Sequence, residues 1–166
     1  WKKYKSLNKN SLGIEISNPG HQFKYKKFSQ KQIKSLLKLT KYLLKKYKIN
    51  YKSILGHSDI APDRKQDPGE KFPWKYLSKN KIGIWHSLNS IKLKKERQIK
   101  ISSLFKKKFI NNLFKIGYAR NQKIENTKYA KMLTIAFQRR FRQELINGII
   151  DKECLKISEN LLKKIK

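Results

Sequence analysis

Four residues in the first half of the chain have types and spacing suited to hydrolytic chemistry: Glu15, His57, Lys65 and Asp67. His57 and Asp67 stand ten residues apart and offer an imidazole nitrogen and a carboxylate oxygen on a loop punctuated by Pro62, Pro68 and Pro73. Zinc accepts both donor types, and a catalytic zinc site needs three protein ligands plus an open position for water. Such a metal lowers the pKa of water to about 7 and so makes a nucleophile at neutral pH. Glu15 is a carboxylate in an otherwise apolar alternating run, on the side opposite Leu12, Ile14 and Ile16, where a cleft could use it as a base. Lys65 could set an ammonium beside a developing oxyanion. Each residue also has a plainer reading. A histidine at a strand end is commonly structural, and Asp67-Pro68-Gly69 is ordinary turn chemistry. Lys65 is one of 36 lysines, and a strand glutamate usually faces solvent. Spacing alone leaves both readings open.

These side chains need elements to position them. Residues 11–17 alternate as a strand and end at the Asn18-Pro19-Gly20 turn. Ser29 with Gln32 forms a capping box that opens a helix. Its apolar face runs Ile33, Leu36, Leu37, Thr40, Leu43, Leu44 and Tyr47, with lysines opposite, so it is expected to pack on a sheet. Ser53–Gly56 reads as a short buried strand delivering His57 to the irregular stretch 58–73, which is long enough to suggest function. A short helix follows from Trp74 to about Ser78. Residues 91–101 are Lys-rich with little pattern and read as a linker. Three amphipathic helices come next: about Ser102–Ile116, stopped by Gly117; about Thr127–Arg142; and one capped by Asp151 that carries Cys154, Leu155, Ser158, Leu161, Leu162 and Ile165 on one face. The expected fold class is therefore α/β over residues 1–90, with a mixed central sheet flanked by helices and incomplete at its N-terminus. A linker over 91–101 and a small all-α three-helix domain over 102–166 complete it.

The 166 residues carry a formal charge of +31, spread as +17 over 1–93 and +14 over 94–166. There are 36 Lys against 6 Arg, 20 Ile and no Val. Core physics does not ask for Ile without Val, whereas an AT-rich coding bias gives both skews. Arginine is the residue that reads guanine and grips phosphate bidentately, so this composition argues against specific nucleic-acid recognition. It still suits salt-sensitive adhesion to an anionic polymer such as a cell wall. The single Cys154 excludes a disulfide framework and reads as a buried structural thiol. No apolar run is long enough for a membrane span. The chain starts at Trp1 in mid-pattern, which predicts an upstream segment.

Several runs carry a resemblance. Leu7-Asn8, Ser11–Ile16 and Asn18-Pro19-Gly20-His21 are followed by Gly56-His57-Ser58-Asp59-Ile60-Ala61-Pro62, Arg64–Gly69 and Phe72-Pro73-Trp74. In order and spacing, residues 1 to about 85 resemble the zinc-dependent N-acetylmuramoyl-L-alanine amidases of type 2, relatives of phage lysozyme-type amidases and peptidoglycan recognition proteins. Gly117-Tyr118, Ala136–Phe141 and Gly148–Asp151 resemble the three-helix peptidoglycan-binding domain that often follows.

The resemblance implies hydrolysis of the amide between N-acetylmuramic acid and L-alanine in peptidoglycan, in wall turnover or recycling. His57 and Asp67 match two of the family's three Zn2+ ligands, Glu15 the acid that activates water, and Lys65 the residue that stabilises the tetrahedral intermediate. The family's first ligand is a histidine upstream of the Glu15 segment. His21 matches a family histidine that is not a ligand, and His86 lies past the motif. The 166 residues alone are accordingly expected to lack full zinc affinity and activity. Peptidoglycan or muropeptides are the expected partners, a monomer the expected state and the bacterial cell envelope the expected location. The rival reading is a non-catalytic peptidoglycan-binding module. Trp74, Trp85 and Tyr76 suit either a glycan groove or core packing.

Overall fold

The computed structural model describes residues 1, 2, 4, 6–121 and 124–165. Seven helices occur among the described residues: α1 (Gln30–Lys46), α2 (His57–Ile60), α3 (Trp74–Lys79), α4 (Ser90–Glu96), α5 (Ser103–Ile116), α6 (Asn126–Phe141) and α7 (Lys152–Ile165). Single 3-10 turns lie at Leu7–Lys9, His21–Phe23 and Tyr51–Ser53.

The α/β expectation is overturned: no described residue belongs to a strand or a sheet. A strand exists only as a member of a hydrogen-bonded ladder, and alternation of side chains cannot supply the partner. Residues 11–17 have the pattern, but no described backbone hydrogen bond joins them to a neighbouring segment. Leu12 and Ile14 are consequently exposed, and Ile16 alone of that face reaches a core. Ser53–Gly56 is not a strand either. Tyr51–Ser53 is a 3-10 turn capped by the Asn50 side chain, and Ile54 and Leu55 are only half-buried.

The helix signals fare differently because each is local. Ser29 accepts from Gln32 N at 3.2 Å while Gln32 Oε1 accepts from Ser29 N at 2.9 Å, the capping box read from the sequence. On α1, Ile33, Leu36 and Thr40 are buried, and Ile33 and Leu36 pack with Phe28, Phe72, Trp74, Leu77 and Ile82 rather than against a sheet. The segment read as a linker holds α4. Asn89 accepts from Ile91 N and Lys92 N, and Leu93 is buried. Glu96 then pairs with Lys152 and Lys156, and Arg97 with Glu144 and Glu153.

Helices α5, α6 and α7 enclose the larger core, built on Phe109, Leu113, Leu133, Phe137, Ile157 and Leu161, each almost or wholly buried. Gly117 ends α5 at φ 140°, a conformation that favours glycine, and Asp151 Oδ1 accepts from Cys154 N at 2.9 Å to start α7. Cys154 is fully buried, as expected of a structural thiol, and burial pushes its pKa up to about 12. Trp85 packs against both cores, so the amidase-like segment and the helical segment share a seam. Trp74 is core, Trp85 is half-buried in the seam, and Tyr76 is exposed. No helix is long and apolar enough to cross a membrane among the described residues.

Candidate active site

The chain turns sharply at Gly56, and His57 opens the one-turn helix α2. Ser58 N donates to Asp67 O at 2.9 Å, which brings the far end of the loop back beside that turn. His57 Nδ1 thereby lies 3.1 Å from Asp67 Oδ2. Their side chains are 45% and 61% exposed, so the pair faces water rather than the core. His57, Asp67, Lys65 and Glu15 all line one broad open cleft. The four residues read from the sequence thus share a cleft, and two of them are in direct contact.

The nitrogen and oxygen donors of His57 and Asp67 suit zinc and come within reach of a single point, so they fit as two ligands. No group of three or more His, Cys, Asp or Glu side chains able to hold a metal occurs among the described residues.

A second set of contacts fixes the Asp67 end of the loop. The Tyr25 hydroxyl donates to Pro68 O at 2.6 Å and accepts from Lys71 N at 3.0 Å. Burial raises the Tyr25 pKa to about 12, so the phenol stays protonated and keeps donating. His21 stacks on Tyr25 at 4.4 Å and places Nε2 3.0 Å from Glu70 Oε2. Burial would raise the Glu70 pKa, but the hydrogen bond from His21, a backbone hydrogen bond and the charges of His21 and Arg139 together outweigh it and hold the carboxyl below its usual range. His21 therefore braces the loop through Glu70 and Tyr25.

Sequence reading missed the residues beneath the site. Asp59, 1% exposed, accepts from Gly56 N at 2.7 Å, from the Tyr118 hydroxyl at 2.9 Å and from Arg140 Nη1. Burial, with Asp59 alongside, holds the Tyr118 pKa well above its ordinary value. Arg140 also donates from Nη2 to Ile54 O at 2.9 Å and stacks 4.1 Å over Trp74. Gln143 Nε2 donates to Phe72 O at 2.7 Å. The available signal was two adjacent arginines, Arg139 and Arg140, between Phe137 and Phe141, where a helix buries a charge only when it is paired.

Residues 1–70 match the family model described as N-acetylmuramoyl-L-alanine amidase. This agrees with the motif resemblance at the level of the amidase family. The chain is 32% identical over 169 residues to N-acetylmuramoyl-L-alanine amidase AmiD of Escherichia coli (strain K12), an alignment covering 99% of this chain and 61% of that protein. Among solved structures it is similar to AmpDh3 from Pseudomonas aeruginosa, with TM-score 0.82 and 32% identity over 99% of this chain and 66% of that one. It is also similar to E. coli AmiD in complex with its substrate anhydro-N-acetylmuramic acid-L-Ala-D-gamma-Glu-L-Lys, with TM-score 0.72 and 30% identity over 86% of this chain and 55% of that one. The chain thus spans about three fifths of the length of the AmiD it matches.

Proposed function

We propose that the protein is a zinc-dependent N-acetylmuramoyl-L-alanine amidase that hydrolyses the amide between N-acetylmuramic acid and L-alanine of peptidoglycan or muropeptides. The observation that carries this reading is the 3.1 Å approach of His57 Nδ1 to Asp67 Oδ2, in a cleft that Glu15 and Lys65 also line. The similarity to AmiD, whose solved complex holds an anhydro-muramyl peptide, supports the substrate class. Cell-wall turnover or recycling is the matching role, and the bacterial envelope the matching location. The surplus of exposed lysine suits a polymer that carries carboxylates.

His57 and Asp67 would hold the zinc, with a further ligand outside the described residues. When bound, the metal supplies Lewis acidity at the scissile carbonyl. The remaining work falls to the chain's own side chains. Glu15 takes the proton of the attacking water and delivers it to the leaving L-alanine amine, as general base and then general acid. Lys65 holds the charge that develops on the carbonyl oxygen. The backbone bond from Ser58 N to Asp67 O keeps the two ligands in register. The helical segment 102–166 would add contacts to the polymer.

Zinc content and hydrolysis of an anhydro-muramyl tripeptide, measured on the full-length wild type and on its His57→Ala variant, test the reading. The expected result is zinc and turnover in the first and loss of both in the second. A His57→Ala protein with normal zinc content removes His57 from the metal shell. A wild type that binds muropeptides, holds no zinc and leaves them intact is the non-catalytic binder instead.

A further inference from the structure

We propose that Arg140, on α6 of the helical segment, is a positioning residue for the hydrolytic site, acting on His57 through Asp59. The proposal rests on the amidase reading for its functional consequence, but its structural part stands apart from it. Arg140 does not line the cleft. It reaches back 81 residues in the chain to Asp59, the third residue of the turn that His57 opens.

The connections run without a gap. Arg140 Nη1 donates to Asp59 Oδ2, and the same oxygen accepts from Gly56 N at 2.7 Å. Asp59 therefore fastens the first backbone amide of the turn and the turn's own end together, with His57 between them. Arg140 Nη2 holds the incoming segment at Ile54 O, 2.9 Å away, and the Trp74 ring under the guanidinium fixes its plane. Tyr118, from just after α5, occupies the other Asp59 oxygen at 2.9 Å. The turn so held presents Ser58 N to Asp67 O at 2.9 Å, and that bond sets the distance between His57 and Asp67.

Magnitude favours a role here. Arg140 and Asp59 are 3% and 1% exposed as side chains, so neither charge has water to fall back on. Removing one leaves the other buried and unpaired, the costly case for an ion pair. The least expensive relaxation is for α2 to move and let water reach Asp59, and α2 is one turn long, with no helix length to resist. The helical segment is then part of the site's framework in addition to any contact it makes with polymer.

The test compares Arg140→Met, Arg140→Lys and Tyr118→Phe in the full-length protein with Leu161→Ala, a core change in α7 that removes none of the hydrogen bonds to Asp59. Amide hydrogen exchange is read at Ser58 and at Leu113 in the α5 core. In Arg140→Met, Ser58 exchange should rise about tenfold or more relative to Leu113, as expected for local opening. Arg140→Lys should restore part of the protection and Tyr118→Phe should show a smaller loss of the same kind. Leu161→Ala should not loosen Ser58 selectively. For hydrolysis, kcat should fall in Arg140→Met with KM nearly unchanged. Unchanged Ser58 exchange in Arg140→Met overturns the proposal, as does equal selective loss in Leu161→Ala. If Arg140→Met fails to fold, Tyr118→Phe decides: selective opening at Ser58 supports the proposal and its absence overturns it. A full-length wild type without turnover defeats the amidase reading, and the exchange comparison still decides whether Arg140 holds the turn.

Discussion

The Cβ that Gly56 lacks would stand 2.8 Å from Cδ of Pro68 and 3.2 Å from the Trp74 ring. The glycine before His57 thus lets the proline after Asp67 approach, and the two proposed ligands meet because this contact is open. The backbone at Gly56 has φ −87° and ψ 159°, which any residue adopts, so the requirement is steric and not conformational.

Gly56→Ala is expected to destabilise. Losing glycine's freedom in the unfolded chain would gain about 0.4–1 kcal/mol. Forcing a methyl against a closely packed ring costs about 1–3 kcal/mol, and the second effect wins. Thermal melts should show the loss, and zinc affinity should fall with it because Pro68 moves Asp67. A variant with wild-type stability and wild-type zinc binding would show that the loop yields freely.

Glu15→Gln separates chemistry from binding. The amide keeps the shape and removes the base, so turnover should drop by about 10²–10⁴-fold. Zinc content should be unchanged, since Glu15 lines the cleft as the proposed base and is not one of the proposed ligands. Undiminished turnover would take Glu15 out of the reaction.

What the sequence made legible follows from the range of each interaction. The capping box at Ser29, the Gly117 stop and the Asp151 cap are set within one helical turn, and each stands where the pattern put it. The His57–Asp67 approach was legible through motif resemblance, because ten residues of loop carry it. The sheet was misread because residues 11–17 show a strand's alternation without a ladder partner among the described residues. Helix α4 was hidden by its lysines: the Asn89 cap, one buried Leu93 and ion pairs from Glu96 and Arg97 at its C-terminal end hold it, which no apolar periodicity announces. The Asp59–Arg140 pair spans 81 positions and was illegible, since no local pattern says which carboxylate a buried arginine will find.

Removal of residues 94–166 tests whether the helical segment is more than a tether. A helical segment that only tethers the enzyme to polymer would leave turnover of a small soluble muropeptide intact when removed. Here Arg140, Tyr118 and Gln143 hold Asp59 and Phe72 around the loop that bears His57, Lys65 and Asp67. Residues 1–93 should therefore lose small-muropeptide turnover as well as sacculus binding, and should melt at lower temperature. Full small-substrate turnover alongside weakened sacculus binding would restore the simple tether.

His86 predicts the acid limb of stability. Burial and then nearby Lys75 lower its pKa from its ordinary 6.5 to about 4; a hydrogen bond that the imidazole donates to the Phe141 backbone carbonyl opposes this and Lys164 adds to it. Its Nδ1 is buried without a partner. Between pH 6.5 and 4 the unfolded chain binds the proton and the folded chain refuses it. Stability is therefore fully present above pH 6.5 and is lost as pH falls towards 4. Allowing for partial solvent screening, the loss from pH 7 to pH 5 is about 1 kcal/mol. That lowers Tm by roughly 2–4 °C for a chain of this size. Replacing the imidazole with an apolar side chain, His86→Leu, should flatten that part of the profile and leave Tm at pH 7 level or raised. Calorimetric melts at pH 7, 6 and 5 on both proteins check it, and an equal drop in His86→Leu would place the acid sensitivity elsewhere, in groups such as Glu70 whose carboxylate is held by His21.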